Sequence, residues 1–386
     1  MAEVNIGKNP KIIAFYLPQF HEIPENNEWW GKGFTEWINV KKAQPLFNGH
    51  DQPRVPLNGN YYNLLDDRIK IWQADLAKKY GIFGFCYYHY WFKDGKKLLE
   101  KPAEQMLNNT EIDIPFCFSW ANENWSKNWD GGNREIIMKQ EYGGKKDWEK
   151  HLQYLLPFFR DKRYITVDGK PLLIIYKPEQ IIDIYQMARY FRKRMINEGF
   201  TGLCLAFQFP SYYYDMYYRD DIFDYRIGFE PVFSRINDEE MIDLKKRKLV
   251  KIARRMLGEG IISVYRKVNI NKIGTSWKKS DKLSHYSYND SWNRIINRDW
   301  ADDFLPGAFV DWDNTPRNRN GVVYDGFSTD AFKTNIYSLV KRARVEKKPM
   351  IFINAWNEWA EGAFLEPDEK YGFGKLDSIS SAVMSL

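Results

Sequence analysis

Eight short runs dense in β-branched, aliphatic and aromatic residues punctuate the chain. They are Ile12-Ile-Ala-Phe-Tyr-Leu17, Ile82-Phe-Gly-Phe-Cys-Tyr-Tyr88, Ile114-Pro-Phe-Cys-Phe-Ser119, Leu172-Leu-Ile-Ile-Tyr176, Leu203-Cys-Leu-Ala-Phe207, Ile222-Phe-Asp-Tyr-Arg-Ile-Gly228, Gly307-Ala-Phe-Val-Asp311 and Met350-Ile-Phe-Ile-Asn-Ala355. They are mostly apolar throughout, without polar alternation, the mark of parallel strands buried on both faces. Between them the apolar positions change period. Leu65, Ile69, Trp72, Leu76 and Tyr80 recur every three or four residues, which predicts a helix, and Gly81 is placed to end it. The same spacing predicts helices over about 178–198, followed by Gly199, and about 328–345.

Alternating strands and helices predict a parallel sheet, and eight strands favour closure into a (β/α)8 TIM barrel of the α/β class. Only a short helix fits between Phe207 and Ile222, so an open doubly wound sheet is the alternative. Long insertions fall at about 18–60 after the first strand and about 232–305 after the sixth. Neither is low-complexity, and no repeat or linker divides the chain, so residues 1–386 read as one domain. In a barrel both insertions would emerge at the C-terminal rim, where active sites and lids are built.

Composition narrows the function classes. At 386 residues and 44% apolar content the chain can bury a sizeable core. No stretch nears the roughly 18–20 apolar residues of a spanning helix, and Met1-Ala-Glu-Val-Asn-Ile-Gly-Lys lacks a signal-peptide core, so a cytoplasmic protein is expected. Cys86, Cys117 and Cys204 sit inside strand runs without metal-type spacing and read as reduced core residues. The excess of 57 basic over 51 acidic residues is mild and argues against a nucleic-acid partner. One local run, Lys245-Lys-Arg-Lys-Leu-Val-Lys-Ile-Ala-Arg-Arg255, reads either as a solvated helix face or as a peripheral contact with anionic membrane lipid or a lipid-diphosphate carrier. Aromatic content of 17% is unusual, and many rings stand beside carboxylates and amides. That mixture suits sugars, whose C–H faces pack on rings while hydroxyls meet polar side chains.

Barrel enzymes place their chemistry just beyond the strand C-termini. There the chain offers Gln19, His21, Trp29, Trp30, Glu36 and Trp37 after the first strand, and His89, Tyr90 and Trp91 after the second. Trp120, Asn122, Glu123, Asn124, Trp125 and Asp130 follow the third; Glu230 and Pro231 follow the sixth. Asp311, Asp313, Asn314 and Arg317 follow the seventh, and Trp356, Asn357, Glu358 and Glu361 the eighth. Glu358 and Glu361, three apart on a turn beyond a buried strand, can project toward one volume, as cooperating carboxylates require. Trp356 and Trp359 could dehydrate one carboxyl group and keep it protonated while a wetter partner stays ionised; the alternative is two solvated surface acids. Asp311-Trp-Asp-Asn-Thr-Pro-Arg317 could clamp sugar hydroxyls, and without a third carboxylate or paired histidines it makes a poor metal site. His89 reads equally as a packed core histidine or a hydroxyl contact. No Ser-His-Asp order, phosphate-cradling loop or dinucleotide fingerprint is present, so no cofactor is expected.

Five ordered motifs carry a resemblance: Phe15-Tyr-Leu-Pro-Gln-Phe-His21, Trp29-Trp-Gly-Lys-Gly-Phe-Thr-Glu-Trp37, Phe118-Ser-Trp-Ala-Asn-Glu-Asn-Trp125, Trp312-Asp-Asn-Thr-Pro-Arg317 and Trp356-Asn-Glu-Trp-Ala-Glu-Gly362. From about residue 11 to 370 the chain resembles the WbsX-type proteins of polysaccharide gene clusters, relatives of the endo-α-mannosidase-like glycoside hydrolase family 99. The resemblance implies a (β/α)8 barrel and a metal-independent, retaining reaction on an α-linked sugar. It gives Glu358 the role of assisting the substrate's own 2-hydroxyl as internal nucleophile, through a 1,2-anhydro sugar. Glu361 becomes the general acid and then the base that activates water. The first-strand and third-strand motifs follow the WbsX branch, so mannose specificity is not implied. The function expected is cleavage of, or transfer through, a glycosidic bond of a bacterial surface polysaccharide or its lipid-linked precursor. A glycosyltransferase of O-antigen or capsule synthesis and a non-catalytic glycan-binding barrel are the alternatives.

Overall fold

The structure, a computed structural model, describes residues 2–4, 9–126, 136–209, 222–235 and 282–385. Its principal sheet is built from β1 (Lys11–Tyr16), β2 (Gly84–Trp91), β3 (Phe116–Trp120), β4 (Lys170–Ile175), β5 (Cys204–Phe209), β6 (Tyr225–Gly228), β7 in two pieces (Phe304–Leu305 and Gly307–Phe309) and β8 (Met350–Asn354). Neighbours in sequence are parallel neighbours in space from β1 through β6. The first piece of β7 pairs with β6, the second pairs with β8, and β8 pairs with β1, which brings the sheet round on itself. The expected (β/α)8 barrel is the observed architecture, and the open-sheet alternative falls.

The break in β7 has a local cause. Pro306 has no N–H to give a ladder, while its carbonyl still accepts from the Phe352 amide at 3.0 Å. Beside it the β6 and β7 backbones approach so closely that a Cβ on Gly307 would lie 1.7 Å from the Gly228 carbonyl oxygen. Only glycine fits there.

Inside the ring, Phe15 packs against Tyr88, Phe229 and Phe352 from three other parts of the barrel. The helices of the described residues are α1 (Pro24–Trp30), α2 (Glu36–Lys42), α3 (Asp67–Lys79), α4 (Lys101–Asn108), α5 (Lys145–Arg160), α6 (Ile184–Asn197), α7 (Tyr288–Asn297), α8 (Thr329–Val345) and α9 (Gly374–Met384). The three helices predicted from periodicity are α3, α6 and α8, and Gly81 and Gly199 follow the first two with φ of 87° and 90°. All three cysteines are buried free thiols. The first insertion holds α1 and α2, both short. Most of the second, with the basic run 245–255, lies outside the described residues, as do Asp130 and the segment between Phe209 and Ile222. Among the described residues no helix is long and apolar enough to cross a membrane.

Candidate active site

Beyond β8 the chain turns back in a small hairpin, Asn357–Glu358 against Ala363–Phe364, with a 3-10 turn over Trp359–Glu361 between them. Gly362 closes it at φ 66°, and a Cβ there would stand 2.9 Å from the Asp313 backbone nitrogen. This contact explains why a glycine ends the turn: left-handed backbone and a neighbouring main chain exclude any side chain. Two ties fix the hairpin over the barrel end. Asn357 Oδ1 accepts from the Leu17 amide at 2.7 Å while its Nδ2 donates to the Leu17 carbonyl at 3.0 Å. The Asp313 amide donates to the Glu361 carbonyl at 2.8 Å, joining the loops after β7 and β8.

The β7 loop delivers the counter-charge. Asp313 Oδ1 accepts from the Thr315 amide (3.0 Å) and hydroxyl (2.6 Å), a tight turn that presents Arg317 two residues on. The Arg317 guanidinium then meets three carboxylates from two further loops. Nη1 donates to Glu361 Oε1 at 2.6 Å, Nη2 to Glu358 Oε2 at 3.1 Å, and Nε and Nη2 to Glu36 Oε2 at 3.1 and 3.0 Å. Glu36 opens α2, so the first insertion, the β7 loop and the β8 loop converge on one cation.

One cation cannot neutralise three carboxylates in a dry place, so a proton is retained. Burial, against the pull of Arg317 and with the push of Glu361 and Glu36, raises Glu358 to about 8. Conversely, the three acids outweigh burial and raise the proton affinity of Arg317 well above the ordinary arginine value. The two glutamates differ in access: the Glu358 side chain is 7% exposed and that of Glu361 22%. Tyr88 feels the charge of Glu358, and Tyr176 that of Glu361. Tyr90, which accepts from Gln19 at 3.0 Å, feels Glu358, Arg317 and Glu36 and packs edge-on against Trp125. Trp125 in turn meets Trp29 and Trp30, so rings from the loops after β1 and β3 connect to the carboxylates through Tyr90 on β2. Glu123 forms an ion pair with Lys177 next to Tyr176.

Other predicted site residues are drawn into the framework. His89 does not face the carboxylates: its Nε2 shares a 2.9 Å hydrogen bond with Nε2 of His151 on α5, and burial lowers its pKa to about 3. Trp120 lies on the same outer face, against His151, donating to the Trp91 carbonyl at 3.0 Å. Asn122 bridges the β3 and β4 loops through the backbone of Lys177. His21 is fully buried and lowered to about 4 by burial. Trp37 donates to the Tyr62 carbonyl at 2.7 Å, and Glu230 is sealed in by Arg298 and the Ser234 amide. The proposed sugar clamp is instead a brace for the first insertion. Asp311 pairs with Arg54 at 2.8 Å, and Asp313 Oδ2 meets His50 and Gln52 at 2.8 and 2.7 Å. Although burial alone would raise Asp313, His50 and then Arg54, Thr315 and Gln52 hold it down at about 2.

Trp356 and Trp359 are buried beneath the hairpin, and both indole N–H groups point to Glu366, a residue that pattern reading passed over. Arg54 was missed likewise: it sits in an aperiodic insertion, between Pro53 and Pro56, which mark it only as loop. An acid set between a leucine and a proline, Leu365-Glu-Pro367, just beyond the Trp-rich turn was the available signal for Glu366.

Residues 12–379 match the model of the family described as Glycosyltransferase WbsX. Over 383 residues the chain is 35% identical to the uncharacterized protein WxcX of Xanthomonas campestris pv. campestris (strain B100), covering 96% of this chain and 49% of that protein. The chain thus spans about half the length of the curated relatives it matches. Among solved structures, a glycoside hydrolase-like protein aligns with TM-score 0.54 at 12% identity over 98% of this chain and 95% of the other. The GH99 endo-alpha-mannosidase from Bacteroides thetaiotaomicron aligns with TM-score 0.51 at 14% identity over 97% and 96%. At such identities the likeness is one of fold.

Proposed function

Since the chain belongs to the WbsX glycosyltransferase family, we propose that it is a carbohydrate-active enzyme that opens an α-glycosidic bond of a bacterial surface polysaccharide or its lipid-linked precursor with retention. The observation that carries this reading is the convergence of Glu358, Glu361 and Glu36 on Arg317 at the C-terminal end of the barrel. Glu361, the more accessible acid, gives a proton to the glycosidic oxygen as the bond to C1 breaks. The sugar's 2-hydroxyl oxygen attacks C1 and its proton passes to Glu358, leaving a 1,2-anhydro sugar. Glu361, now a carboxylate, takes a proton from water, whose oxygen opens the three-membered ring at C1, and Glu358 returns its proton to O2. The cycle needs one proton on the pair, which is what burial and the single guanidinium favour. In the free protein the deeper Glu358 has the stronger hold on that proton, so the reading requires its passage to Glu361 when a 2-hydroxyl meets Glu358.

Transfer is the second reading, favoured by the family's own description: a saccharide hydroxyl takes the place of water, with a sugar nucleotide or lipid-linked sugar as donor. The aromatic group around Tyr90, Trp125, Trp29 and Trp30 supplies ring faces for sugar, and we assign residues 1–386 to one barrel domain. The test is incubation with a purified polysaccharide repeat unit, with and without sugar nucleotides. New reducing ends without nucleotide support hydrolysis, elongation only with nucleotide supports transfer, and binding without either leaves a glycan-binding barrel. Glu361→Gln should cost at least about 10² in rate while binding persists; near-normal turnover removes the assignment.

A further inference from the structure

Glu366 is 1% exposed and meets no cation among the described residues, yet it accepts four hydrogen bonds. Gln73 Nε2 (2.6 Å) and Trp356 Nε1 (3.1 Å) share Oε1; the Tyr62 hydroxyl (2.8 Å) and Trp359 Nε1 (2.6 Å) share Oε2. The donors come from α3, from the loop before it and from both sides of Glu358. Behind them the Tyr16 hydroxyl of β1 donates to Gln73 Oε1 at 2.6 Å, which orients that amide toward the carboxylate. A buried carboxyl without a counter-ion is costly, and a neutral glutamine could not accept from all four donors. Its retention points to a constraint beyond filling space. Trp356 immediately precedes Asn357, which clasps Leu17, and Trp359 stacks on Phe364 at 3.7 Å between ring centres, across the hairpin that carries Glu358.

Resting on the reading of Glu358 and Glu361 as the reactive pair, we propose that Glu366 is a positioning residue: one carboxylate gathers the two indoles flanking Glu358 and so fixes the orientation of that pair. It touches no substrate. Its effect is on geometry, where a misplacement of about 1 Å can cost about 10² in rate.

The experiment compares wild type with Glu366→Gln and Trp359→Phe by two readouts. The first is the ¹⁵N-indole spectrum of the ligand-free protein, with the peaks of Trp356 and Trp359 assigned by their own Phe variants. In wild type both indole protons should resonate downfield and exchange slowly; in Glu366→Gln at least one should move upfield and exchange faster. The second is turnover of a fluorophore-labelled repeat-unit oligosaccharide, where kcat should fall about 10- to 100-fold with KM changing far less, and Glu366→Asp, which keeps the charge, should recover part of it. Unmoved indole peaks overturn the proposal, as does full kcat with moved peaks, or a kcat loss that only follows the unfolded fraction in a melting curve. If Glu366→Gln does not fold, Trp359→Phe decides: it removes one donor and keeps a ring, and an unchanged kcat overturns the proposal. Normal turnover by Glu361→Gln would instead sink the reactive-pair reading, while the indole peaks still report whether the carboxylate holds both rings.

Discussion

Replacing Arg317 by glutamine removes the guanidinium that three acids share, and its cost can be worked from their burial. The Glu36 side chain is fully buried, that of Glu358 is 7% exposed and that of Arg317 11%. Removing one partner of a buried ion pair typically costs about 3–5 kcal/mol, because the remaining charge is stranded in a poor solvent. For a domain of this size that corresponds to a fall in Tm on the order of 4–6 °C. The loss should depend on pH, and its sign follows from Glu358. Its folded-state value of about 8 lies above that of an unfolded glutamate, so its contribution is fully present below the unfolded value and is lost as pH rises through about 8. Without Arg317, which pulls that value down, Glu358 must hold its proton even harder, so the deficit relative to wild type is level below about pH 8 and widens above it, where wild type releases the proton and the variant does not. Urea unfolding followed by circular dichroism at pH 5 and about pH 9.5 measures both points. A double variant with Glu36→Gln should be less damaged than the sum of the single variants. Equal losses at the two pH values, within about 0.5 kcal/mol, and additivity within the same margin would refute an electrostatic role for the cluster.

Asp313→Asn should destabilise the protein by on the order of 2 kcal/mol at neutral pH, since a carboxylate held at about 2 contributes stability above its unfolded value and loses it as pH falls toward 2. Identical unfolding curves at pH 7 would show that His50 and Gln52 gain nothing from its charge. Gly362→Ala combines left-handed backbone with the 2.9 Å approach to the Asp313 nitrogen and should cost about 1–3 kcal/mol, together with a fall in kcat as Glu361 shifts; an unperturbed melt and rate count against the loop contact. Turnover of the wild-type enzyme should decline above about pH 8 as the pair loses its shared proton. In Glu361→Gln the carboxyl band of Glu358 should titrate lower than in wild type, because a like charge beside it is gone; an unmoved titration breaks the coupling.

How much of this was legible follows residue by residue. The strands were readable because burial on both faces makes them apolar throughout, and the error was in β7, where Phe304–Leu305 is too short a run to stand out before Pro306. Helix α5 has the right period in Trp148, Leu152, Leu155 and Phe159, but Pro157 near its end argues against a helix when no neighbours are known. Glu36, Arg317, Glu358 and Glu361 were each singled out by position after a strand, yet nothing local says that Arg317 would gather the other three across 281 and about 40 positions. Parity decides His89 in favour of the packed core histidine, and it places Trp120 on the same outer face. Adjacent residues of a strand face opposite ways, Tyr88 packs on Phe15 inside the barrel, and so its neighbour His89 meets α5 outside. Arg54 and Asp311 show the remaining limit, since 257 positions separate the two halves of an ion pair that sequence order does not connect.

Asn357 grips both the amide and the carbonyl of Leu17 from 340 positions further along the chain. A polypeptide emerging from the ribosome therefore exposes the receiving edge long before the clasp. Glu358 and Glu361 can reach Arg317 only once the eighth strand has docked beside the first, so closing the ring and assembling the charge cluster are one event.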